Sequence, residues 1–398
     1  MPLSSAVAIC GGLDGNVRFT NLSSLSCIHV IHASEYSSSS STLSHINKVA
    51  IKDKSLAVCG HSWIRLHALD KLDSPATLFE GGHSHNVTSI SFQSDSKWFV
   101  TTGEDGKLRI WDFRAKGYQL GLTNGSAINC GSIHPNQGTV VFGDQDGFVN
   151  YFDLAANKVM KRQICEGSGF GVVTCDFDAY NRLITCCDAK SVSVYSGLET
   201  SAESGDTASD ELEGCDDSAD DASPRHALMP PAMIPLISRS VSNNRTTKCN
   251  TTQPAHQTIT ISNGPPPNHR FAMDTHPESY LTSVSLSGRG STRHPAVLVC
   301  GSDASFSVWR TSHDDNYYTL DSHISIPPSA AWCWDARFVD EKTRFVLAAF
   351  SDGKCRLWDT LRPSSSPIAV FDGGFGKGVR SIVVLSQDAL VLPEKRFR

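Results

Sequence analysis

The fold of this chain is decided by residues 99–112, which read FVTTGEDGKLRIWD. An apolar run leads into a turn at Asp105-Gly106, and a second run then alternates polar and apolar residues up to Trp111 and Asp112. Asp and Gly tolerate the backbone conformations that tight turns between antiparallel strands require. The stretch therefore predicts a β-hairpin whose second strand ends on an aromatic residue followed by an acid.

The same pattern recurs along the chain, and in its strong copies the aromatic residue stands six positions after the turn Asp. The further copies, strong ones first, are Val140–Asp153, Val297–Trp309, Val346–Asp359, Ala6–Leu22, Ser55–Leu69 and Leu183–Ser196. If residues 199–270 are set aside, the seven copies share 326 residues, about 47 each, near the ~40–45 of a WD repeat. Repeats of this length built from four short strands form a β-propeller.

The two ends of the chain predict how the propeller closes. The first copy begins directly with Ala6–Gly12, whereas an additional strand, Val379–Leu385, follows the last copy. Pairing these strands removes two exposed sheet edges. We therefore expect an all-β, seven-bladed WD40 propeller closed by strand exchange between the termini. Blades one to five are expected in 1–198, blades six and seven with the closing strand in 271–388, and a tail in 389–398.

Residues 199–270 interrupt the repeats. They contain 10 acidic and 5 basic residues; the acids lie in the first part, and a stretch rich in Pro, Ser and Thr follows. Such a composition buries too little apolar area to offset the entropy of ordering the chain. We predict a disordered insertion between blades five and six that is dispensable for folding.

The overall composition argues against several classes of protein. The net charge is −6, and outside 199–270 there are 31 acidic and 30 basic residues, so non-specific nucleic-acid binding is not expected. Thirteen cysteines occur without a CxxC pair, which argues against a zinc site or a disulfide framework. No apolar run approaches the length of a membrane-spanning helix, and no signal peptide is evident. We expect a reduced, cytoplasmic protein without a cofactor and without self-association.

The repeated residues predict a structural role. In blade three, His83, Thr102, Asp105 and Trp111 match the buried polar network of WD repeats, which is strong only when complete. The corresponding residues of blades four, six and seven are Asp146, Asp303, Trp309, Asp352 and Trp358. Since these residues have structural places in the repeat, a catalytic interpretation of His83 and Asp105 is not favoured, and no enzyme activity is expected.

Superposition of the repeats predicts a partner-binding rim. The residue before each inner strand, and the second residue after that one, should lie at one end of the propeller. These positions place Tyr280, Trp332 and Trp334 on adjacent blades six and seven, with Asn86 and Arg380 at matching positions of blades three and one. Clustered aromatic side chains on a rim are typical anchors of a protein interface.

Two motifs carry a family resemblance. Phe79–Gln93 resembles the third repeat of the G-protein-β-subunit-like proteins, also called the lethal with sec thirteen protein 8 family, the WD-repeat subunits of TOR kinase complexes. Trp332-Cys333-Trp334-Asp335 with Phe338 is similar to the W-x-W-D-x-x-F motif that opens their seventh repeat.

The resemblance implies a non-enzymatic scaffold that binds the C-lobe of the TOR kinase domain and stabilises the active kinase in TOR complexes 1 and 2. It also implies a role in nutrient and growth signalling, recruitment to endomembranes through the complex, and a place for Trp332 and Trp334 at the kinase interface.

An adaptor of another assembly, such as a substrate receptor of a ubiquitin ligase, is the alternative. Its support is Arg114, two residues after Asp112 in a W-D-x-R arrangement that also occurs in many WD repeats.

Overall fold

The repeated hairpins form seven four-stranded antiparallel sheets. The structure is a computed structural model. It describes residues 3–32, 45–115, 117–163, 171–178, 181–187, 191–195, 269–272, 280–287, 295–311, 318–326, 331–362, 366–372 and 377–390.

The described residues contain 28 strands and two short 3₁₀ turns, Leu3–Ser5 and Gln387–Ala389. The strands are β1 Ala6–Gly12, β2 Asn16–Asn21, β3 Ser26–His32, β4 Lys48–Lys52, β5 Ser55–Cys59, β6 Ile64–Ala68, β7 Thr77–Phe79, β8 Val87–Phe92, β9 Trp98–Gly103, β10 Lys107–Asp112, β11 Tyr118–Thr123, β12 Ile128–Ile133, β13 Thr139–Asp144, β14 Phe148–Asp153, β15 Lys158–Gln163, β16 Val172–Phe177, β17 Leu183–Cys187, β18 Ser191–Tyr195, β19 His269–Ala272, β20 Leu281–Leu286, β21 Ala296–Gly301, β22 Ser305–Thr311, β23 Tyr318–Ser325, β24 Cys333–Phe338, β25 Phe345–Phe350, β26 Lys354–Asp359, β27 Ala369–Asp372 and β28 Val379–Ser386.

Each sheet is one blade of a propeller. Blade one consists of β28, β1, β2 and β3 in that order, and blades two to seven take the remaining strands in consecutive groups of four. Ala6 pairs with Ser386 and Gly12 with Val379, so the last strand of the chain completes the sheet that the first strands began. The predicted seven-bladed propeller with strand exchange between the termini is confirmed.

The hydrophobic core is divided among the junctions between blades. Both faces of a blade are covered by its neighbours, so the second strand of a blade is buried along its whole length, as in β1, β9, β13 and β21. At the junction of blades one and two, Ile9 belongs to the same apolar cluster as Leu56. Val379 and Leu357 share the cluster between blades one and seven. The ring is therefore stabilised by side chains from neighbouring blades.

The insertion does not lie where the sequence analysis placed it. Strand β19, His269–Ala272, pairs with β18 as the outer strand of blade five. The long segment therefore interrupts blade five between its third and fourth strands, instead of separating blade five from blade six. Outer strands are short and carry little apolar pattern, which is why His269–Ala272 was not recognised. The predicted disorder falls on residues outside the described part of the chain.

Two deletions test this boundary. Replacement of 199–266 by a short Gly-Ser linker should leave the melting temperature nearly unchanged, because lengthening a surface loop costs only ~0.6 kcal/mol per doubling. A matched deletion of 199–272 removes β19 and exposes the edge of β18. This second variant should melt at a lower temperature in differential scanning calorimetry. Equal melting temperatures would show that β19 does not contribute to blade five.

Candidate functional site

Blade three contains a buried chain of polar side chains. The Asp105 carboxylate accepts hydrogen bonds from His83 Nδ1, at 3.1 Å, and from the Ser84 backbone N–H, at 2.9 Å. His83 Nε2 lies 2.8 Å from Thr101 Oγ1, and Trp111 Nε1 donates to the same hydroxyl at 2.8 Å. When Nδ1 carries the His83 proton, each of these donors has an acceptor. The network joins the turn of the hairpin to the loop that precedes the blade.

Thr101, and not the predicted Thr102, supplies the hydroxyl of this network. Adjacent residues of a strand point to opposite faces of the sheet. Thr102 Oγ1 lies on the other face, 2.9 Å from Thr88 Oγ1 and 2.7 Å from Ser89 Oγ. The repeat was predicted correctly, but the predicted hydroxyl of Thr102 is wrong, and Thr101 takes its place.

The network has a structural role. The side chains of His83 and Asp105 are only 1% and 2% exposed, and Thr101 is fully buried, so a substrate cannot reach them. Burial alone would raise the pKa of Asp105, but the hydrogen bonds from His83 and from the backbone N–H groups of Ser84 and Lys107 lower it to about 2. The carboxylate is thus held in its charged form as an acceptor.

Blade four uses a different carboxylate from the predicted one. Asp146 is exposed, and within the described residues it has no hydrogen-bond partner. Asp144 is buried and accepts from Asn124 Nδ2 at 3.1 Å and from Asn150 Nδ2 at 2.9 Å. Asp144, two residues before Asp146, can face the interior because the smaller Asn124 stands where blade three has His83.

Blade six keeps the turn Asp. Asp303 accepts from the Ser305 backbone N–H at 3.1 Å, as predicted for a turn residue. Trp309 Nε1 donates to Ser307 Oγ, at 2.9 Å, on its own strand.

Blade seven leaves its network incomplete. Asp352 accepts from the Lys354 backbone N–H at 3.0 Å and forms an ion pair with Arg356. The buried Trp358 Nε1 has no acceptor within the described part of the chain. Ala348 occupies the position that Thr101 holds in blade three, so no hydroxyl is available.

A ring of β-bulges forms one end of the central cavity. In six blades the inner strand carries one extra residue near its start relative to the next strand of the sheet. In blade two, Asn47 holds the equivalent place without a register shift. We call this ring the bulge rim, and its seven residues are Asn47, Thr88, Asn129, Val173, Thr282, Trp334 and Arg380. All of them line one cavity of about 970 Å³.

The polar residues of the bulge rim connect neighbouring blades. Thr88 Oγ1 donates to the carbonyl of Ile128 in the next blade at 2.7 Å, and Asn129 Nδ2 donates to the carbonyl of Val172 at 3.1 Å. Thr282 makes the same type of bond to the carbonyl of the first residue of β24. The bulge therefore positions a side chain to close the gap between adjacent inner strands.

Trp334 and Arg380 do not connect neighbouring blades by hydrogen bonds. Both occupy bulge positions, but within the described residues neither side chain makes a hydrogen bond or an ion pair. The Trp334 ring lies against Gly378, where an added Cβ would come within 2.8 Å of the ring. The only residue that fits there without displacing the indole is glycine. The two largest side chains of the bulge rim therefore stand next to each other at the junction of blades seven and one, without a bond to a neighbouring blade.

Trp332 and Tyr280 are the exposed aromatic residues that the sequence predicted. Trp332 is 51% exposed and lines the cavity, and its backbone is fixed by two hydrogen bonds with Ser351. Tyr280 is 58% exposed on blade six, outside the residues that line the cavity. The structure brings Trp332 together with Trp334 and Arg380, whereas Tyr280 stands apart from them.

Asn86 lines the same cavity but is already occupied. Its Nδ2 donates to Glu104 Oε2 at 2.8 Å, and its Oδ1 accepts from Asn47 Nδ2 at 3.1 Å and lies 3.2 Å from His61 Nδ1. Its amide therefore organises the rim between blades two and three.

Several residues of the cavity were not predicted from the sequence. Lys48, Asp176 and Arg337 project into it from inner strands. In blade five the bulge falls at Val173. Alternation along the inner strands could have indicated the first three, but the position of a bulge has no sequence signal here.

The described residues show no group of three His, Cys, Asp or Glu side chains placed to hold a metal ion. Among the same residues, no helix is both long and apolar enough to cross a bilayer.

Comparison with known proteins supports the repeat assignment. Residues 74–112, which end on Trp111 and Asp112, match the family described as "WD domain, G-beta repeat". The chain is 34% identical over 168 residues to target of rapamycin complex subunit wat1 of Schizosaccharomyces pombe, covering 42% of this chain and 51% of that protein. It is 34% identical over 140 residues to target of rapamycin complex subunit LST8 of Saccharomyces cerevisiae, covering 34% and 43%. It is 32% identical over 147 residues to LST8 of Mus musculus, covering 36% and 43%.

This chain is a WD-repeat propeller similar to target of rapamycin complex subunits. The matched parts span about half the length of the curated relatives, and the resemblance that the two motifs indicated is confirmed. The crystal structure of the Cps50 (Swd1) β-propeller domain from Myceliophteria thermophila superposes with a TM-score of 0.56 at 11% identity, covering 83% of this chain and 86% of that one. That likeness concerns the fold of the WD-repeat propeller alone.

Removal of the Thr101 hydroxyl should destabilise the WD-repeat propeller. Thr101→Val leaves the buried Trp111 Nε1 without its acceptor, at a cost of ~1–3 kcal/mol. Thr77→Val, on the exposed outer strand of blade two, is the matched control and should change stability little. Urea unfolding followed by tryptophan fluorescence measures both. An unchanged midpoint for Thr101→Val would contradict the assigned network.

The lowered pKa of Asp105 predicts a specific dependence of stability on pH. The folded-state pKa of about 2 lies below the usual ~3.9. The carboxylate therefore stabilises the fold above about pH 4, and this contribution is lost as the pH falls towards about 2. The urea midpoint of the native chain should fall across this window more than that of Asp105→Asn. Parallel pH profiles would show that the bonds to Asp105 do not depend on its charge.

Proposed function

We propose that this propeller is a non-catalytic scaffold subunit of a target of rapamycin complex that binds the TOR kinase domain at its C-lobe. The observation that supports this best is the pair Trp332 and Trp334, which share one end of the central cavity and do not take part in the bonds between blades. The similarity to target of rapamycin complex subunits supports the choice of partner.

The geometry of the pair suits a protein interface. A half-exposed indole costs little in the folded monomer and buries a large apolar area against a partner. The backbone of Trp332 is held by Ser351, and the ring of Trp334 rests on Gly378, so both anchors are preorganised. Little side-chain entropy is then lost on binding.

The role of such a subunit is to hold the kinase in its active arrangement. By mass action, a partner that binds the active kinase preferentially increases its population. We therefore propose that the propeller supports nutrient and growth signalling in TOR complexes 1 and 2. We place it in the cytoplasm as a single copy within the complex, which recruits it to endomembranes.

The adaptor alternative has less support. Arg114, which suggested a ubiquitin-ligase docking motif, forms a bidentate ion pair with Asp112, with Nη2 to Oδ2 at 2.9 Å and Nε to Oδ1 at 3.1 Å. This pair explains the W-D-x-R arrangement as the closing contact of a local turn.

A double substitution tests the proposed interface. Trp332→Ala with Trp334→Ala should reduce capture of TOR kinase more than 20-fold, because interface anchors of this type contribute ~2 kcal/mol or more. The measurement is co-precipitation of the kinase at a series of propeller concentrations. Leu361→Ala removes an exposed apolar side chain from the same blade, away from the cavity, and should have little effect.

Circular dichroism of each purified variant controls for folding. If the folded double variant retains the kinase at the level of the native chain, the proposed interface is wrong. If the double variant unfolds, Trp332→Ala alone repeats the test, since that side chain is half exposed and its loss leaves the packing on Gly378 intact.

A further inference from the structure

Charged side chains of both signs line the central cavity. They are Lys48, Glu104, Asp176, Asp335, Arg337 and Arg380. Three of them are carboxylates and three are cations, so the sum of the charges gives no indication of a ligand. An indication comes instead from which of these charged side chains already have hydrogen-bond or ion-pair partners.

The three carboxylates already have partners. Glu104 accepts from Asn86 Nδ2 at 2.8 Å, and Asp176 accepts from Ser132 Oγ at 2.9 Å. Asp335 accepts from the Ile382 backbone N–H at 3.0 Å and pairs with Arg337 Nη2 at 3.5 Å. One of the three cations, Arg337, is thereby occupied as well.

The two remaining cations, Lys48 and Arg380, have no such partner. Within the described residues neither one makes a hydrogen bond or an ion pair through its side chain. The Arg380 side chain is exposed within the cavity lining, so an incoming anion can reach its guanidinium directly. A guanidinium that has no counter-ion keeps its N–H donors available for charge-assisted hydrogen bonds to an incoming anion.

Lys48, on the neighbouring blade two, is partly buried. Burial lowers its pKa; Asp335 and Asp176 oppose this effect, while Arg337 and Arg380 add to it. Lys48 and Arg380 are thus near enough to repel each other. An anion placed near Arg380 would also lie within the field of Lys48, and it would reduce this repulsion.

Arg380 also stands beside the proposed interface. It occupies the bulge of blade one, and Trp334 occupies the bulge of blade seven. Gly378, against which the Trp334 ring packs, lies two residues before Arg380. A single partner segment can therefore cover the indoles and reach the guanidinium.

We propose that the kinase segment that covers Trp332 and Trp334 inserts an Asp or Glu carboxylate into the cavity, where Arg380 binds it and Lys48 adds a second positive charge. This inference rests on the proposed function. A guanidinium binds a carboxylate through two parallel N–H donors. A monoanion fits this site better than a phosphate dianion, because Glu104, Asp176 and Asp335 also face the cavity.

Charge reversal at Arg380 tests the site. Arg380→Glu should weaken capture of TOR kinase about 30-fold, because loss of one partner of a desolvated charge pair costs ~2 kcal/mol or more. Arg380→Met keeps the apolar stem and should weaken capture about 10-fold. Lys377→Glu is the matched control: it makes the same change of charge three residues away at an exposed position outside the cavity lining, and it should change capture less than twofold.

A cross-link identifies the chemical class of the occupant. Arg380→Lys places a primary amine at the site. A carbodiimide activates a carboxylate in contact with it, the amine displaces the activated group to form an amide, and the carbodiimide leaves as its urea. Mass spectrometry of the cross-linked complex should find residue 380 joined to an Asp or Glu of the kinase. Phosphatase treatment of the kinase should leave the effect of Arg380→Glu unchanged.

The outcomes separate the two proposals. If the double tryptophan variant loses the kinase while folded Arg380→Glu binds like the native chain, the carboxylate proposal fails and the proposed function stands. If both variants bind like the native chain, the proposed function fails as well. A captured kinase without a cross-link at residue 380, or an effect of Arg380→Glu that disappears after phosphatase treatment, also overturns the carboxylate. If Arg380→Glu does not fold, Arg380→Met and the cross-link decide.

Discussion

The pairing of β1 with β28 is the constraint on which the rest of this structure depends. Each blade buries both faces against neighbours, so the ring has no stable open form in which blades one and seven keep their cores. The closing ladder runs from Ala6–Ser386 to Gly12–Val379 and is supported by an apolar cluster that contains Cys10 and Leu357. Closure fixes the number of blades, and the number of blades fixes the size of the central cavity.

Closure also explains why the inner strands carry bulges. Seven strands that converge on one axis leave gaps at their ends, and in six of them an extra residue turns a side chain towards the next blade. Thr88, Asn129 and Thr282 use this position for hydrogen bonds between blades. Within the described chain, the side chains of Trp334 and Arg380 make no such hydrogen bond. These two bulge positions lie where the ring closes, and they are the ones that we propose for partner binding.

Much of the fold was predictable because the hairpin pattern repeats. The spacing between Asp105 and Trp111, or between Asp352 and Trp358, follows from two strands of fixed length joined by a tight turn. The aromatic residues of the rim were also predictable, since superposition of the repeats places Trp332 on one end of the propeller. The errors arose where single residues decide the geometry. Thr101 and Thr102 differ only in the face to which they point, and the outer strand at His269 is too short to show a pattern.

The sequence by itself determined the class of fold, the number of blades, the closure and the place of the exposed indoles. These features depend on local turn chemistry and on periodicity, which are properties of neighbouring residues in the chain. Only the tertiary structure decided which charges of the cavity have partners. Lys48, Asp335 and Arg380 come from three different blades, and whether a side chain finds a partner depends on the positions of all strands around the axis. That information exists only once the ring has closed.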